Sequence, residues 1–247
     1  MAPDHAEQLA QMLLKARRAV FFGGAGVSTE SGIPDFRSTD GLYHQQWRYP
    51  PETMLSHEFF LRRTEEFFDF YRKKMIFPSA RPNPAHEALA ELEKRGILSA
   101  VITQNIDGLH QAAGSRNVIE LHGSVHRNHC VRCGKSYSLD HVMHSEGVPR
   151  CPCGGVVKPD VVLYGEQLPE EAIERAVSFI AQADLLIIGG TSLAVYPAAG
   201  FVQSFSGPLA IINRSPTPMD RQADLLIDAP IGKTLARVME ILSADAQ

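Results

Sequence analysis

Short apolar runs separated by helix-length amphipathic stretches recur along most of this chain, and few architectures accommodate that alternation. Residues 19–22, 98–103, 118–121, 185–188, 209–212 and 225–227 are apolar runs of strand length, and residues 160–163 read as another. Most lack in/out alternation, which marks strands buried on both faces. Helical patterns lie between them. Ala6, Leu9, Ala10, Leu13 and Leu14 recur at three- and four-residue spacing. Asn83-Pro84 opens a helix carrying Ala85, Ala88, Leu89 and Leu92 on one face, with Gly96 as its terminator. Further helices are expected over 169–182, 195–204 and about 232–242. Residues 56 to about 75, with Phe59, Phe60, Phe67, Phe68, Phe70 and Tyr71 among charges, read as amphipathic helices. Strands alternating with helices predict an α/β fold, a mostly parallel sheet with helices on both faces.

Two segments interrupt the alternation. Residues 28 to about 51 are rich in Gly, Pro, Ser and Asp and read as a long ordered loop, a length that usually signals function. The second carries all four cysteines of the chain, as Cys130-x-x-Cys133 and Cys151-x-Cys153. That spacing reads as two thiolate pairs closing on one tetrahedral zinc ion, with a tighter second knuckle than usual. Four thiolates leave no open position, so the site is expected to be structural. Disulfides are the alternative, and a cytosolic setting disfavours them. His126 and His129, beside the cysteines, are not needed as ligands and are expected to be ordinary exposed histidines.

Composition excludes several classes. Of 247 residues, 44% are hydrophobic and 21% charged, which is globular and not disordered. Lys and Arg number 24 against 28 Asp and Glu, a net charge of −4, which argues against a protein that mainly grips nucleic-acid phosphates. No apolar run approaches the ~20 residues of a membrane span. The first residues lack a basic and an apolar region, so no signal peptide is visible and a cytoplasmic protein is expected.

Polar and glycine residues stand where the apolar runs end. Gly24-Ala-Gly26 after the 19–22 run has the shape of a nucleotide-binding turn, although a tight turn is the alternative and the third glycine of the usual pattern is replaced by Thr29. No acidic residue follows at the distance a hydride-transferring dehydrogenase requires. Gln104-Asn-Ile-Asp107, His122, Gly189-Gly-Thr-Ser192 and Asn213 likewise follow apolar runs. Ligands bind at such strand ends in open α/β sheets, and a histidine there suits general-base work near neutral pH.

Together the segments Gly24-Ala-Gly-Val-Ser-Thr-Glu-Ser-Gly-Ile-Pro-Asp-Phe-Arg-Ser38, Thr103-Gln-Asn-Ile-Asp-Gly-Leu-His110, Glu120-Leu-His-Gly123, the four cysteines, Lys158-Pro-Asp-Val-Val-Leu-Tyr-Gly-Glu166, Gly189-Gly-Thr-Ser-Leu193 and Ile212-Asn213 resemble the sirtuins, in family order, from about residue 8 to 240. The resemblance is strongest to bacterial and archaeal NAD-dependent protein-lysine deacetylases. It implies a single domain. A large Rossmann-like body would take about 1–36, 78–125 and 158–247. A smaller part would combine a helical lid module at about 37–77 with an inserted zinc-ribbon module at about 126–157. It further implies that Gly24, Ala25, Gly26, Ser28 and Thr29 line the phosphates of NAD, with Phe36 and Arg37 closing over the nicotinamide ribose. Gln104, Asn105, Ile106 and Asp107 would form the nicotinamide and ribose pocket, and Gly189, Gly190, Thr191, Ser192 and Asn213 would hold the adenosine half. Catalysis would fall to His122 and Asn105. In the family, the acyl-lysine oxygen attacks C1′ of the nicotinamide ribose and expels nicotinamide, and the histidine then acts as general base on the ribose hydroxyls.

The substrate peptide is expected to add as a strand against Val161, Val162 and Tyr164, the last departing from the usual Phe. Relatives that prefer succinyl groups carry Tyr-x-x-Arg; here Tyr71 is followed by Lys74, which lacks the bidentate fork, so acetyl and other uncharged acyl groups are expected. Acetylated proteins or peptides are the expected partners, without membrane or nucleic acid, and a monomer is the default. Protein ADP-ribosyl transfer or NAD hydrolysis in the same pocket is the first alternative. A non-catalytic zinc-ribbon binding module is the distant one.

Overall fold

The computed structural model describes residues 4–36, 41 and 48–244. Six strands form one parallel sheet: β1 (Ala19–Gly23), β2 (Leu98–Thr103), β3 (Val118–Glu120), β7 (Leu185–Gly189), β8 (Leu209–Ile212) and β9 (Leu225–Ile227). Their order is β3-β2-β1-β7-β8-β9. The chain leaves β1 toward β2 on one side and returns to β7 on the other, so the topological switch point lies between β1 and β7. The central strands β1, β7 and β8 read as continuous apolar runs because both faces are covered. Phe21 and Ile187 point toward α1 (His5–Lys15), α5 (Pro84–Lys94) and α9 (Ile231–Ala244). Phe22 and Ile188 point the other way, toward α8 (Glu170–Gln182). Each large apolar side chain buried this way contributes about 1.5–3 kcal/mol.

The second sheet has three antiparallel strands in the order β5-β4-β6: β4 (Gly123–Cys130), β5 (Ser136–Tyr137) and β6 (Val157–Val161). Here the structure corrects the sequence reading: of the run expected at 160–163, only Asp160 and Val161 are in a strand, at the end of β6, and they pair antiparallel with β4. Beside this sheet lies an insert of α2 (Pro51–Met54), α3 (His57–Arg62) and α4 (Thr64–Lys74). One apolar cluster joins them, with Phe59, Phe60, Phe67 and Phe68 packed against Val125, Val142, Val157 and Cys151. Arg72 of α4 adds hydrogen bonds to the carbonyls of Val142 (2.8 Å) and Gly147 (2.6 Å). Insert and small sheet therefore share one core.

The helix expected over 195–204 is only a 3-10 segment, Ala198–Val202. Pro197 and Gly200 flank and interrupt it, and both disfavour a regular α-helix. Among the described residues no helix is long and apolar enough to cross a membrane.

Candidate active site

The C-terminal ends of β1 and β7 interlock at the switch point. Gly23 and Gly189 are in register. Gly24 N–H donates to the Gly189 carbonyl (3.3 Å) and Gly26 N–H to the Gly190 carbonyl (2.8 Å). A Cβ on Gly26 would lie 2.8 Å from the Gly190 Cα, and one on Gly190 (φ +58°) would lie 2.4 Å from the Val27 nitrogen. Glycine is thus required on both sides, and a tight turn and a ligand cradle coincide. Two 3-10 segments, Ala25–Val27 and Thr29–Ser31, follow β1. Asn83, read from sequence only as a helix start, donates to the Val27 carbonyl (2.8 Å) and Ser31 Oγ (2.9 Å) while capping α5.

A cavity of about 730 Å3 opens at this point, within the usual size range of ligand pockets. It is lined by Gly24, Ala25, Gly26, Ser28 and Phe36 from the β1 side, by Gln104, Asn105, Ile106 and Asp107 after β2, and by His122. Gly190, Thr191, Ser192 and Asn213 line it after β7 and β8, and Val161, Val162 and Tyr164 line it from the small sheet. Residues expected from distant parts of the sequence are thereby brought to one crevice. Among the described residues, Thr29 stands outside the lining, exposed, with its hydroxyl donating to the Gly26 carbonyl (2.9 Å). Gly189 lies beneath, inside β7. Arg37 falls outside the described residues.

A polar network sets the cavity floor. Ser28 Oγ donates to Asp107 Oδ2 (2.7 Å), and Asn105 Nδ2 donates to Ser28 Oγ (3.0 Å). Gln104 Nε2 donates to Thr191 Oγ1 (3.0 Å), joining the two halves of the crevice. His122 Nδ1 lies 2.9 Å from the Gln104 carbonyl oxygen. A carbonyl can only accept, so Nδ1 carries the proton and Nε2 of the neutral ring keeps its lone pair. Burial lowers the His122 pKa, partly opposed by the Gln104 carbonyl, and keeps the ring neutral at pH 7.

Some functional neighbours were not legible in the sequence. His126, expected to be an ordinary exposed histidine, is exposed but lines the cavity and bonds through Nε2 to the Asp107 carbonyl (3.0 Å). His129 is half-buried and paired with Asp160. Lys74 and residues 75–78, 80 and 81 also line the cavity, whereas Tyr71 is buried away from it, stacked on Phe67 with 5.5 Å between ring centroids. Nothing in the local sequence places His126 at the cavity, and Tyr71 and Lys74, which the sequence marks only as a pair three residues apart, are separated by the packing of α4.

The four cysteines form a separate centre. Their sulfur atoms all lie within 4.8 Å of one another, with Cys130 and Cys153 at 3.4 Å and Cys133 and Cys151 at 3.6 Å. None is in a disulfide. Four thiolates at about 2.3 Å from one tetrahedral ion stand roughly 3.8 Å apart, so the donor set fits zinc. A Cβ on Gly155 would lie 2.6 Å from Cys130 Sγ, which explains the glycine after the second knuckle.

Residues 24–197 match the Sir2 family model. An NAD-dependent protein deacetylase of Clostridium acetobutylicum is 56% identical over 241 residues, covering 96% of this chain and 98% of that protein. Proteins of the same description from Cutibacterium acnes and Sulfolobus acidocaldarius are 57% and 47% identical, covering 94% and 91% of this chain and 96% and 90% of theirs. Among solved structures, a Sir2–p53 peptide–NAD+ complex superposes with a TM-score of 0.86 at 41% identity, covering 96% of this chain and 98% of that one. A Sir2 complex with EX-527, 2′-O-acetyl-ADP-ribose and deacetylated p53 peptide gives 0.84 at 40% identity, covering 95% and 98%.

Proposed function

The chain belongs to the Sir2 family, and on that premise we propose that it is an NAD-dependent protein-lysine deacetylase in which His122 is the general base. It converts acetyl-lysine to free lysine and forms nicotinamide and O-acetyl-ADP-ribose. The observation that carries the assignment of His122 is its hydrogen bond to the Gln104 carbonyl, which fixes the tautomer and leaves Nε2 as the base in a cavity lined by the cofactor-binding segments.

Bound NAD supplies an electrophilic ribose carbon and a nicotinamide leaving group. The protein's part is binding, orientation and proton transfer. Gly24, Ala25, Gly26 and Ser28 are suited to the phosphates, since glycine admits close backbone approach. Asn105 and Asp107, tied through Ser28, are suited to hold the reacting end with Gln104 and Ile106. Thr191, Ser192, Gly190 and Asn213 would take the adenosine half. Val161, Val162 and Tyr164 would receive an acetylated protein or peptide in extended form. Phe36, Ile106 and Val161 bring apolar surface to the cavity and help exclude water. The four cysteines would hold one zinc ion with a structural role.

The test compares wild type with His122→Ala on an acetyl-lysine peptide, with and without NAD. Wild type is expected to form O-acetyl-ADP-ribose only with NAD, and the variant to lose about 10²–10⁴-fold in rate. Nicotinamide release with the acetyl group left on the peptide would overturn the reading in favour of ADP-ribosyl transfer or NAD hydrolysis. A succinyl-lysine peptide in the same assay is expected to turn over more slowly than the acetyl one, because lysine at position 74 lacks the fork for a distal carboxylate.

A further inference from the structure

One ionic cluster, beside the cavity and outside the cofactor-binding segments, closes a turn on its rim. Residues 163–166 are linked from both ends: Glu166 N–H donates to the Leu163 carbonyl (2.9 Å), and Leu163 N–H donates to Glu166 Oε2 (2.8 Å). Gly165, at φ +90°, supplies the left-handed residue such a turn needs. The Glu166 carboxylate then reaches two other parts of the molecule. Lys158 Nζ of β6 lies 3.1 Å from Oε2, with only 12% of its side chain exposed, and also donates to the Val161 carbonyl (3.1 Å). His57 Nδ1 of α3 lies 2.7 Å from Oε1.

The backbone follows the same path. His57 N–H donates to the Tyr164 carbonyl (2.9 Å), Tyr164 N–H to Leu55 (3.0 Å) and Val162 N–H to the His122 carbonyl (3.0 Å). Leu163, Tyr164, Gly165 and Glu166 all line the cavity. Glu166 also lines a second cavity of about 450 Å3, which Lys158 lines with it, so the carboxylate borders both spaces.

We propose that Glu166 is a positioning residue, bolting the 163–166 turn to the helical insert through His57 and to the small sheet through Lys158, and so setting the fit of the acyl-lysine peptide without taking part in cofactor binding. The inference rests on the deacetylase reading above. Its physical basis is donor counting. A carboxylate offers two acceptor oxygens to three donors, whereas an amide offers one and turns its own N–H groups on at least one of them. The cofactor-binding segments reach none of these three donors, so the effect is confined to the peptide side.

Glu166→Gln is therefore expected to raise KM for an acetyl-lysine peptide about ten-fold, with kcat and KM for NAD within about two-fold of wild type. His57→Ala, which removes the more exposed partner, is expected to move the same constant about two- to three-fold, and it carries the test if Glu166→Gln fails to fold. An unmoved peptide KM in either folded variant, or KM for peptide and NAD rising together, would overturn the inference while leaving the deacetylase reading intact. A wild-type protein without NAD-dependent deacetylation would overturn that reading, and this one with it.

Discussion

The two sheets of this molecule reach stability by different routes. In the parallel sheet, β1, β7 and β8 are buried along their whole length, and apolar clusters cover both faces. In the small sheet, β4 reads Gly-Ser-Val-His-Arg-Asn-His-Cys, with two adjacent exposed positions, and β5 has two residues. Such a sheet excludes too little apolar surface to offset its own conformational entropy. Two supports replace the missing core: the four-cysteine centre and the aromatic insert packed against it. The cavity lies where the two regions meet. Its end lined by Gly24, Gly26, Asn105 and Thr191 rests on the large sheet, and its end lined by Val161, Val162 and Tyr164 rests on the small one.

Metal removal should divide the two regions most sharply. A structural zinc site of this kind is worth roughly 10 kcal/mol or more of apparent folding free energy. Chelation, or Cys133→Ser, is expected to abolish amide-exchange protection in β4–β6 and deacetylation with it, while protection in β1, β2 and β7 persists. Unfolding of both sheets in one transition would break the comparison. The reverse perturbation, Ile187→Ala in the parallel sheet, should cost about 2–5 kcal/mol in denaturant unfolding with zinc content unchanged.

Acid should act on the large region through His86 and His110, a fully buried pair with ring centroids 4.7 Å apart. Burial holds His86 at about 4, against the pull of Asp107. Burial, reinforced by His86, holds His110 at about 3. An unfolded histidine titrates near 6.5, so the unfolded chain binds these protons first. Their contribution is fully present above pH 6.5 and is lost as pH falls toward 4. A decline of about 2–4 kcal/mol is expected over that window, read at β1 and β2 amides, and His110→Leu should flatten it. A slope unchanged in that variant would place the acid sensitivity elsewhere.

The strands of the parallel sheet were legible within a residue or so, since burial on both faces forces continuous apolar runs. Strand β4 was not, because five of its eight residues (Ser124, His126, Arg127, Asn128 and His129) are polar or charged, so its pattern resembles a loop. The run at 160–163 was visible as a strand, yet nothing local distinguishes a parallel partner from an antiparallel one. Gly24, Gly26, Gln104, Asn105, Asp107, His122 and the cysteines were legible because their chemistry or backbone demands are tied to residue type. His126 and His57 were not, because an exposed histidine carries no local signature, and Glu166 was visible only as the end of a family segment with no role attached to it.

By itself, the amino-acid sequence determined the alternating architecture, the glycine turns at the strand ends, the thiolate set and the family. These follow from local periodicity, from what only glycine can adopt, and from ligand chemistry. Only the tertiary structure decided that the insert and the small sheet share a core, that the His122 tautomer is set by the Gln104 carbonyl, and that Glu166 ties three segments together. Those are contacts between residues far apart in the chain, and their geometry exists only once both partners have been packed into place.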